Sequence, residues 1–160
     1  MLVTLFRPEA PYPQNVAGVA WIDHTRTSVW LYPGRLEPSL PIVSRGPMDV
    51  PPELRGRLVA TFNSGFKLED SGGGFATGGH TYAPLHDGLA TILRYRDGSV
   101  EMRAWTCGPV AGPSIVYARQ NLPLIVNNGR LNPNLSDGPQ WGATLGNAIR
   151  VWRSGVRVRR

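Results

Sequence analysis

Two polar side chains stand where short apolar runs of the sequence end, and both could bind an oxygen-rich ligand. Asn63 follows the run 58–62, which predicts a buried strand, and its amide could hydrogen-bond a sugar hydroxyl or a phosphate oxygen. Gly65 would let the backbone there approach a ligand closely. Arg153 follows the run 148–152, and its guanidinium could hold a phosphodiester through two parallel hydrogen bonds. The alternatives are that Asn63 caps its own turn and that Arg153 is one more cation in a basic tail.

His80 and Trp141 are further candidates for contact with a ligand. His80 follows two glycines and could act as an acid or base near neutral pH, or it could be a loop histidine in water. Trp141 stands in a loop and could stack on a sugar ring. The other tryptophans lie in or near strand-like runs and are expected to pack in the core: Trp21, Trp30, Trp105 and Trp152. One cysteine and three scattered histidines exclude a standard zinc cluster, so no metal-ligating residue is assigned, and no cofactor is expected.

The elements that must position these side chains are short. Apolar runs predict strands at 2–6, 16–23 and 28–32, and the last two are expected to form a hairpin with 16–23 at the centre of a sheet. Residues 51–58 begin with two prolines and predict a short helix that leads into the strand 58–62. The glycine-rich stretch 71–74 predicts a flexible loop tip.

The second half of the chain carries the clearest turn signals. Asp97-Gly98 separates the strand-like runs 89–96 and 99–105 and predicts a tight hairpin. Asn127-Asn128-Gly129 predicts another turn, and further short strands are expected at 115–118, 122–126 and 148–152. Many short strands with few short helices predict an α+β fold built on a mostly antiparallel sheet, formed by residues 1–160 as a single domain.

Composition narrows the class of protein. A chain of 160 residues with 41% hydrophobic and 18% charged residues is expected to be globular, and no apolar stretch is long enough to span a membrane. Five arginines within the last eleven residues account for most of the net charge of +6 and leave +1 for the rest of the chain. Because no basic and aromatic residues alternate, no specific nucleic-acid binding is expected. A cytoplasmic location is expected, since the chain begins without an export signal.

Five segments between residues 55 and 156 resemble, in order, the phosphodiester glycosidase family. Asn63-Ser64-Gly65-Phe66 is similar to the Asn-Gly-Gly-Phe motif of that family, with Ser64 in place of the first glycine. The family also has a glycine turn, a recurrent hairpin, a strand that ends in Val-Asp-X-Gly, and an Arg-Thr-Ala-Ile-Gly segment. The corresponding parts of this chain are Gly78-Gly79, Asp97-Gly98, residues 123–129 with Asn127 at the acidic position, and residues 152–156.

The resemblance implies hydrolysis of the bond between the anomeric carbon of a sugar and a phosphate, with a sugar phosphate or glycan as ligand. Asn63 and Arg153 are then the expected catalytic residues, because Arg153 would neutralise the leaving phosphate and Asn63 would hold an oxygen. The candidate substrate-binding residues are Gly65, His80, Asn127 and Trp141.

The chain departs from the family after Arg153. Family members continue with further strands and a late acidic motif and are often exported, whereas this chain ends in an arginine-rich segment. We therefore expect an incomplete domain that lacks its C-terminal part. The alternatives to a working hydrolase are a non-catalytic module that binds anionic glycans or phosphate, and a defunct fragment that does not fold stably.

Overall fold

A computed structural model describes residues 1–34, 49–63, 65–136, 138–141 and 153–158. Ser64 of the glycosidase-like motif, Trp152 and the predicted strand 148–152 lie outside the described residues. Within them, short antiparallel strands dominate and helices are few and short, which confirms the predicted α+β class.

The first two strands form a small sheet of their own. β1 (Leu2–Phe6) pairs antiparallel with β2 (Ala17–Trp21), so that Leu2 lies opposite Trp21. Both side chains are more than half exposed, at 74% and 54%. The prediction that this second strand lies at the centre of a sheet is wrong.

The predicted hairpin between 16–23 and 28–32 is also wrong, because residues 28–32 form no strand. The carboxylate of Asp23 accepts hydrogen bonds from the amide and hydroxyl of Thr25, at 2.9 and 2.7 Å, and these bonds close a local turn. The chain then crosses to the central sheet, where the Trp30 ring lies over the Arg94 guanidinium, 3.9 Å from its carbon. Trp30 is 55% exposed, so the expectation that Trp21 and Trp30 pack in the core fails for both.

Two single-turn helices follow, and the segment between them contains Asn63. α1 (Pro52–Arg55) agrees with the predicted short helix, and α2 (Leu68–Ser71) ends at Gly72 in the left-handed conformation. Residues 58–62 form no strand, and Leu58, Val59 and Phe62 are about half exposed. The predicted buried strand before Asn63 is therefore wrong. An apolar run becomes a strand only where a neighbour offers backbone partners, and no described strand pairs with this one.

The central sheet has five antiparallel strands in the order β4-β3-β7-β5-β6. The strands are β3 (Phe75–Thr77), β4 (His80–Ala83), β5 (Leu89–Tyr95), β6 (Val100–Ala104) and β7 (Ile115–Pro123). β7 covers the predicted strand 115–118 and continues to Pro123, so it includes only the start of the predicted strand 122–126, and it pairs with both β3 and β5. β7 is nine residues long and is the middle strand of the five, so its side chains contribute to both faces of the sheet.

The predicted hairpin between β5 and β6 is confirmed, but its turn differs in type from the tightest form. Gly98 has φ +88°, whereas Asp97 is not among the described residues with positive φ. The Gly98 amide donates to Tyr95 O at 3.0 Å, and the Tyr95 amide donates to Ser99 O at 2.9 Å. This pattern is a three-residue loop with glycine in the left-handed position.

A second predicted turn joins β8 (Val126–Asn127) to β9 (Arg130–Leu131). Asn128 has φ +49° and Gly129 φ +76°, the two positive angles that a two-residue hairpin loop of this kind needs. A 3₁₀ helix, Gly138–Trp141, follows.

One face of the central sheet carries the hydrophobic core, and a buried glutamine ties that face to the loops that cover it. The core consists of Ala76, Leu85, Leu93, Trp105, Ile115 and Ala118. Gln120, fully buried, accepts hydrogen bonds from the amides of Gly74 and His86 at 2.9 and 2.8 Å. Its own amide group donates to His86 O at 2.9 Å and to Thr91 Oγ1 at 3.0 Å.

The glycine-rich stretch 71–74 is not the predicted loop tip, since Gly73 and Gly74 are buried. A Cβ atom added to Gly74 would lie 2.7 Å from Leu85 Cα, so the close approach of two backbone segments requires glycine there.

Candidate functional site

The other face of the central sheet forms the floor of an open groove of about 2080 Å³. Phe75, Ile92, Met102 and Tyr117 contribute to this floor, and the irregular segments 26–34, 57–63, 65–67 and 153–158 contribute to the walls. The groove is thus built from parts of the chain that are far apart in sequence.

The glycosidase-like motif and the segment of Arg153 meet at the groove wall. Ser154 Oγ donates a hydrogen bond of 3.0 Å to Asn63 Oδ1, although ninety-one positions separate the two residues. The Arg153 guanidinium carbon lies 4.9 Å from the centroid of the Phe66 ring. A guanidinium over an aromatic face is attracted by the ring electrons. The structure therefore places Asn63 and Arg153, the two predicted catalytic residues, in one local cluster, and both are exposed.

Arg119 of β7 fixes the motif to the sheet, a role that the sequence did not suggest. Its Nη2 donates a hydrogen bond of 2.6 Å to Phe66 O, and its Nη1 donates to Gln120 O. Arg119 is 9% exposed. The signal that could have identified it is the alternation of side chains along β7, in which Tyr117, Arg119 and Asn121 share the face opposite to the core.

Gly65 lies where no other residue fits without rearrangement. Its φ is +130°, and a Cβ atom would lie 2.6 Å from Asn121 Cγ. The glycine of the motif therefore permits close contact between the motif and the Asn121 side chain of β7. This contact is a packing reason for the glycine, distinct from the ligand approach predicted for it.

Positive charge is concentrated along the groove. Of the described residues that line it, one carries a carboxylate, Asp49, and seven are basic. The basic residues are Arg26, Arg57, Lys67, Arg103, Arg119, Arg153 and Arg157. Two of these basic residues form salt bridges. Arg103 Nε lies 3.5 Å from Glu101 Oε2, and Lys67 Nζ lies 3.5 Å from Glu69 Oε1. The sequence assigned the charge mainly to the C-terminal segment, whereas the fold brings that segment together with basic residues from five other places in the chain.

Asn127 and Trp141 also line the groove, as their predicted roles require, but His80 does not. The Trp141 indole Nε1 donates a hydrogen bond of 2.7 Å to Asn134 O, which fixes the ring to the neighbouring loop. His80 is exposed at the start of β4, pairs with Thr77, and has its ring 6.2 Å from that of Tyr82. The structure thus separates His80 from the other candidate residues.

Two side chains at the groove floor carry buried oxygens that no hydrogen bond satisfies within the described chain, namely Tyr117 Oη and Asn121 Oδ1. Tyr117 is 3% exposed. Burial raises the pKa of the Tyr117 hydroxyl to about 12, against a smaller lowering by the positive charge of Arg94. The phenol therefore stays protonated at neutral pH and can both donate and accept a hydrogen bond.

No cluster of metal-ligating side chains occurs within the described ranges, and no helix among them is long and apolar enough to cross a membrane. Neither a family model nor a curated protein nor a solved structure matches this chain.

Proposed function

We propose that this chain binds the phosphate of a sugar phosphodiester in the groove and hydrolyses the bond between the phosphate and the anomeric carbon. The observation that supports binding is the excess of basic over acidic side chains along the groove, with an exposed arginine beside the Asn63 motif. The resemblance of five segments to phosphodiester glycosidases supports the reaction.

Arg153 is the residue that we assign to the phosphate. Arg153 is exposed, and it takes part in neither of the two salt bridges found among the described residues. The Phe66 ring supports the guanidinium from one side and leaves its N–H groups available for two parallel hydrogen bonds to phosphate oxygens. Asn63 already accepts a hydrogen bond from Ser154, so its amide N–H₂ is the part that we assign to a ligand oxygen.

In the proposed reaction, water attacks the anomeric carbon while the bond from that carbon to the phosphate oxygen breaks. The phosphate leaves with the electron pair, and Arg153 stabilises the charge that develops on it. Such a leaving group needs less help from a general acid than an alcohol does, because a phosphate monoester is a weak base. The proton of the attacking water needs an acceptor, and Asp49 is the carboxylate that we assign to this role.

A second candidate function is binding of an anionic glycan without hydrolysis. Glycosidases commonly place two carboxyl groups about the scissile bond. Among the described residues that line this groove, Asp49 is the single carboxylate and no histidine is present. This scarcity of acid and base groups favours the binding module.

One experiment separates the two functions. Methyl α-glucosyl phosphate and the corresponding N-acetylglucosamine diester are offered to the purified chain, with binding followed by calorimetry and free sugar by its reducing end. Arg153→Gln is expected to weaken binding by about tenfold, whereas Arg7→Gln, which removes one charge outside the groove, is expected to leave it within about twofold.

Sugar release that Asn63→Ala and Asp49→Asn abolish supports the hydrolase. Binding without release supports the second function. If neither diester binds, or if Arg153→Gln and Arg7→Gln weaken binding equally, the proposed role of the groove is wrong.

A further inference from the structure

The floor of the groove carries two neutral polar side chains, Tyr117 and Asn121, on either side of the charged Arg119. Tyr117, Arg119 and Asn121 follow one another on the same face of β7, two residues apart, and all three line the groove. Arg119 is engaged with the carbonyls of Phe66 and Gln120. The hydroxyl of Tyr117 and the side-chain carbonyl of Asn121 are left without hydrogen bonds in the described chain.

Buried polar atoms without a partner are rare in proteins, since each costs folding free energy that a hydrogen bond would recover. Two of them on one face of one strand, both at a groove, point to a partner that arrives from the groove. Water is one such partner, and a ligand hydroxyl is the other. The two oxygens offer complementary chemistry, because the phenol can donate or accept while the amide oxygen only accepts.

We propose that Tyr117 and Asn121 form a subsite that binds hydroxyl groups of the neutral sugar part of the ligand, on the sheet side of the groove, each residue taking a different hydroxyl because they stand four positions apart on β7. The inference rests on the proposed function and specifies the non-phosphate part of its ligand. A sugar hydroxyl both donates and accepts, so it matches an acceptor at Asn121 Oδ1 and either role at Tyr117 Oη. Both oxygens are almost closed to solvent, so the proposal requires the side chains around them to move when a hydroxyl binds.

The chemistry of the neighbouring side chains fits a sugar ring. The Trp141 indole lines the same groove and is held by its hydrogen bond to Asn134 O, and a fixed aromatic ring is a suitable platform for the C–H face of a sugar. The Tyr117 phenol is neutral over the physiological pH range, so it adds no charge to repel or attract the phosphate. The floor would then select the sugar, and the walls would select the anion.

Tyr117→Phe is the decisive variant, because it removes a single oxygen and keeps the ring that packs in the floor. Asn121→Ala is the second variant, and it removes the unpartnered amide oxygen on the same face of β7. Tyr95→Phe is the matched control, since its hydroxyl donates to Glu101 at 2.8 Å and Tyr95 does not line the groove. The melting temperature of Tyr117→Phe is expected to equal or exceed that of the parent chain, because a buried oxygen without a partner is lost.

The probes are the 1-phosphates of glucose, galactose, mannose and N-acetylglucosamine, the methyl glycosides of the same sugars, and inorganic phosphate. Tyr117→Phe and Asn121→Ala are each expected to weaken the tightest sugar phosphate by about tenfold and to leave inorganic phosphate within about twofold. Tyr95→Phe is expected to change neither. Arg153→Gln is expected to weaken the sugar phosphates and inorganic phosphate together.

Sugar phosphates that bind the parent chain and both floor variants equally would overturn the subsite and leave the anion site intact, with water as the partner of the two oxygens. If no phosphate compound binds but a methyl glycoside does, and Tyr117→Phe weakens it, the subsite stands and the proposed function fails. If no probe of either kind binds the parent chain, both are wrong.

Discussion

Replacement of Gln120 by leucine is expected to destabilise the chain more than any single change on the exposed surface. The side chain is fully buried and makes four hydrogen bonds, to the amides of Gly74 and His86, to His86 O and to Thr91 Oγ1. Leucine has a similar volume, so the loss is mainly one of hydrogen bonding. Each buried group left without a partner costs about 1–3 kcal/mol.

The loss of the Gln120 hydrogen bond does not cost the same free energy at each of the four partner groups. His86 is an exposed residue whose backbone can turn to water, and Thr91 keeps its own donation to Leu89 O at 3.1 Å. The Gly74 amide is buried and has no substitute. We therefore expect a loss of about 3 kcal/mol in the free energy of unfolding, which corresponds to a fall of roughly 6–12 °C in the melting temperature of a domain of this size.

Two control variants grade the effect of Gln120→Leu. Thr91→Val removes one of the four partners and is expected to cost about 1 kcal/mol, while Gln14→Leu, at an exposed position, is expected to stay within about 0.5 kcal/mol. Urea unfolding followed by circular dichroism measures all three. A Gln120→Leu variant no less stable than Thr91→Val would refute the reasoning that this glutamine links the β3, β5 and β7 strands to their covering loops.

Two further predictions concern the groove. Because burial raises the pKa of Tyr117 to about 12 from 10.0, the unfolded chain releases the Tyr117 proton at a lower pH than the folded chain does. The stabilisation that the protonated phenol provides is therefore complete well below pH 10, and about 1.4 kcal/mol of it is lost by about pH 11, of which about 1 kcal/mol is lost between pH 10 and pH 11. Urea unfolding at these two pH values should show a smaller loss in Tyr117→Phe, and equal losses would contradict the burial argument. Gly65→Ala should cost more than Gly78→Ala in the same assay, since both glycines have positive φ but only Gly65 faces the Asn121 side chain. Equal costs would show that backbone strain alone sets the requirement for glycine.

Turn chemistry explains which parts of the fold could be predicted from sequence. Asn128-Gly129 and Gly98 adopt positive φ for reasons internal to a few residues, so the hairpins they close are visible without any knowledge of the rest of the chain. The bounds of β1 were equally accessible, because an apolar run ends at Arg7-Pro8.

The wrong strand predictions share one cause, because strand pairing depends on segments that are distant in sequence. Residues 58–62 are as apolar as β1, yet they form no strand, and residues 28–32 pack Trp30 over Arg94 instead of extending β2. An apolar run indicates that a segment tends to be buried, but it does not indicate which backbone segment will pair with it. Arg119 was missed for the same reason, since its partner Phe66 lies fifty-three positions away.

The candidate site combines both kinds of information. Segment order, taken from a resemblance, named Asn63 and Arg153 without a distance, and the fold supplies the Ser154 to Asn63 hydrogen bond that joins their segments. The seven basic residues of the groove could not have been grouped from sequence, because the chain outside the C-terminal segment is nearly neutral as a whole. Charge in a groove depends on which side chains face it, and that depends on the fold.

The arrangement of charge also constrains how a ligand would lie. If guanidinium groups at the walls take the phosphate and neutral oxygens at the floor take the sugar, the phosphate stays near solvent while the ring is desolvated. This orientation puts the anomeric carbon between Arg153 and the floor and leaves the departing phosphate an open route out of the groove. It also predicts that salt weakens binding through the walls alone, because exposed charges are screened and buried neutral hydrogen bonds are not. Affinity for a methyl glycoside should then be insensitive to salt, whereas affinity for the sugar phosphate should fall toward it as salt rises.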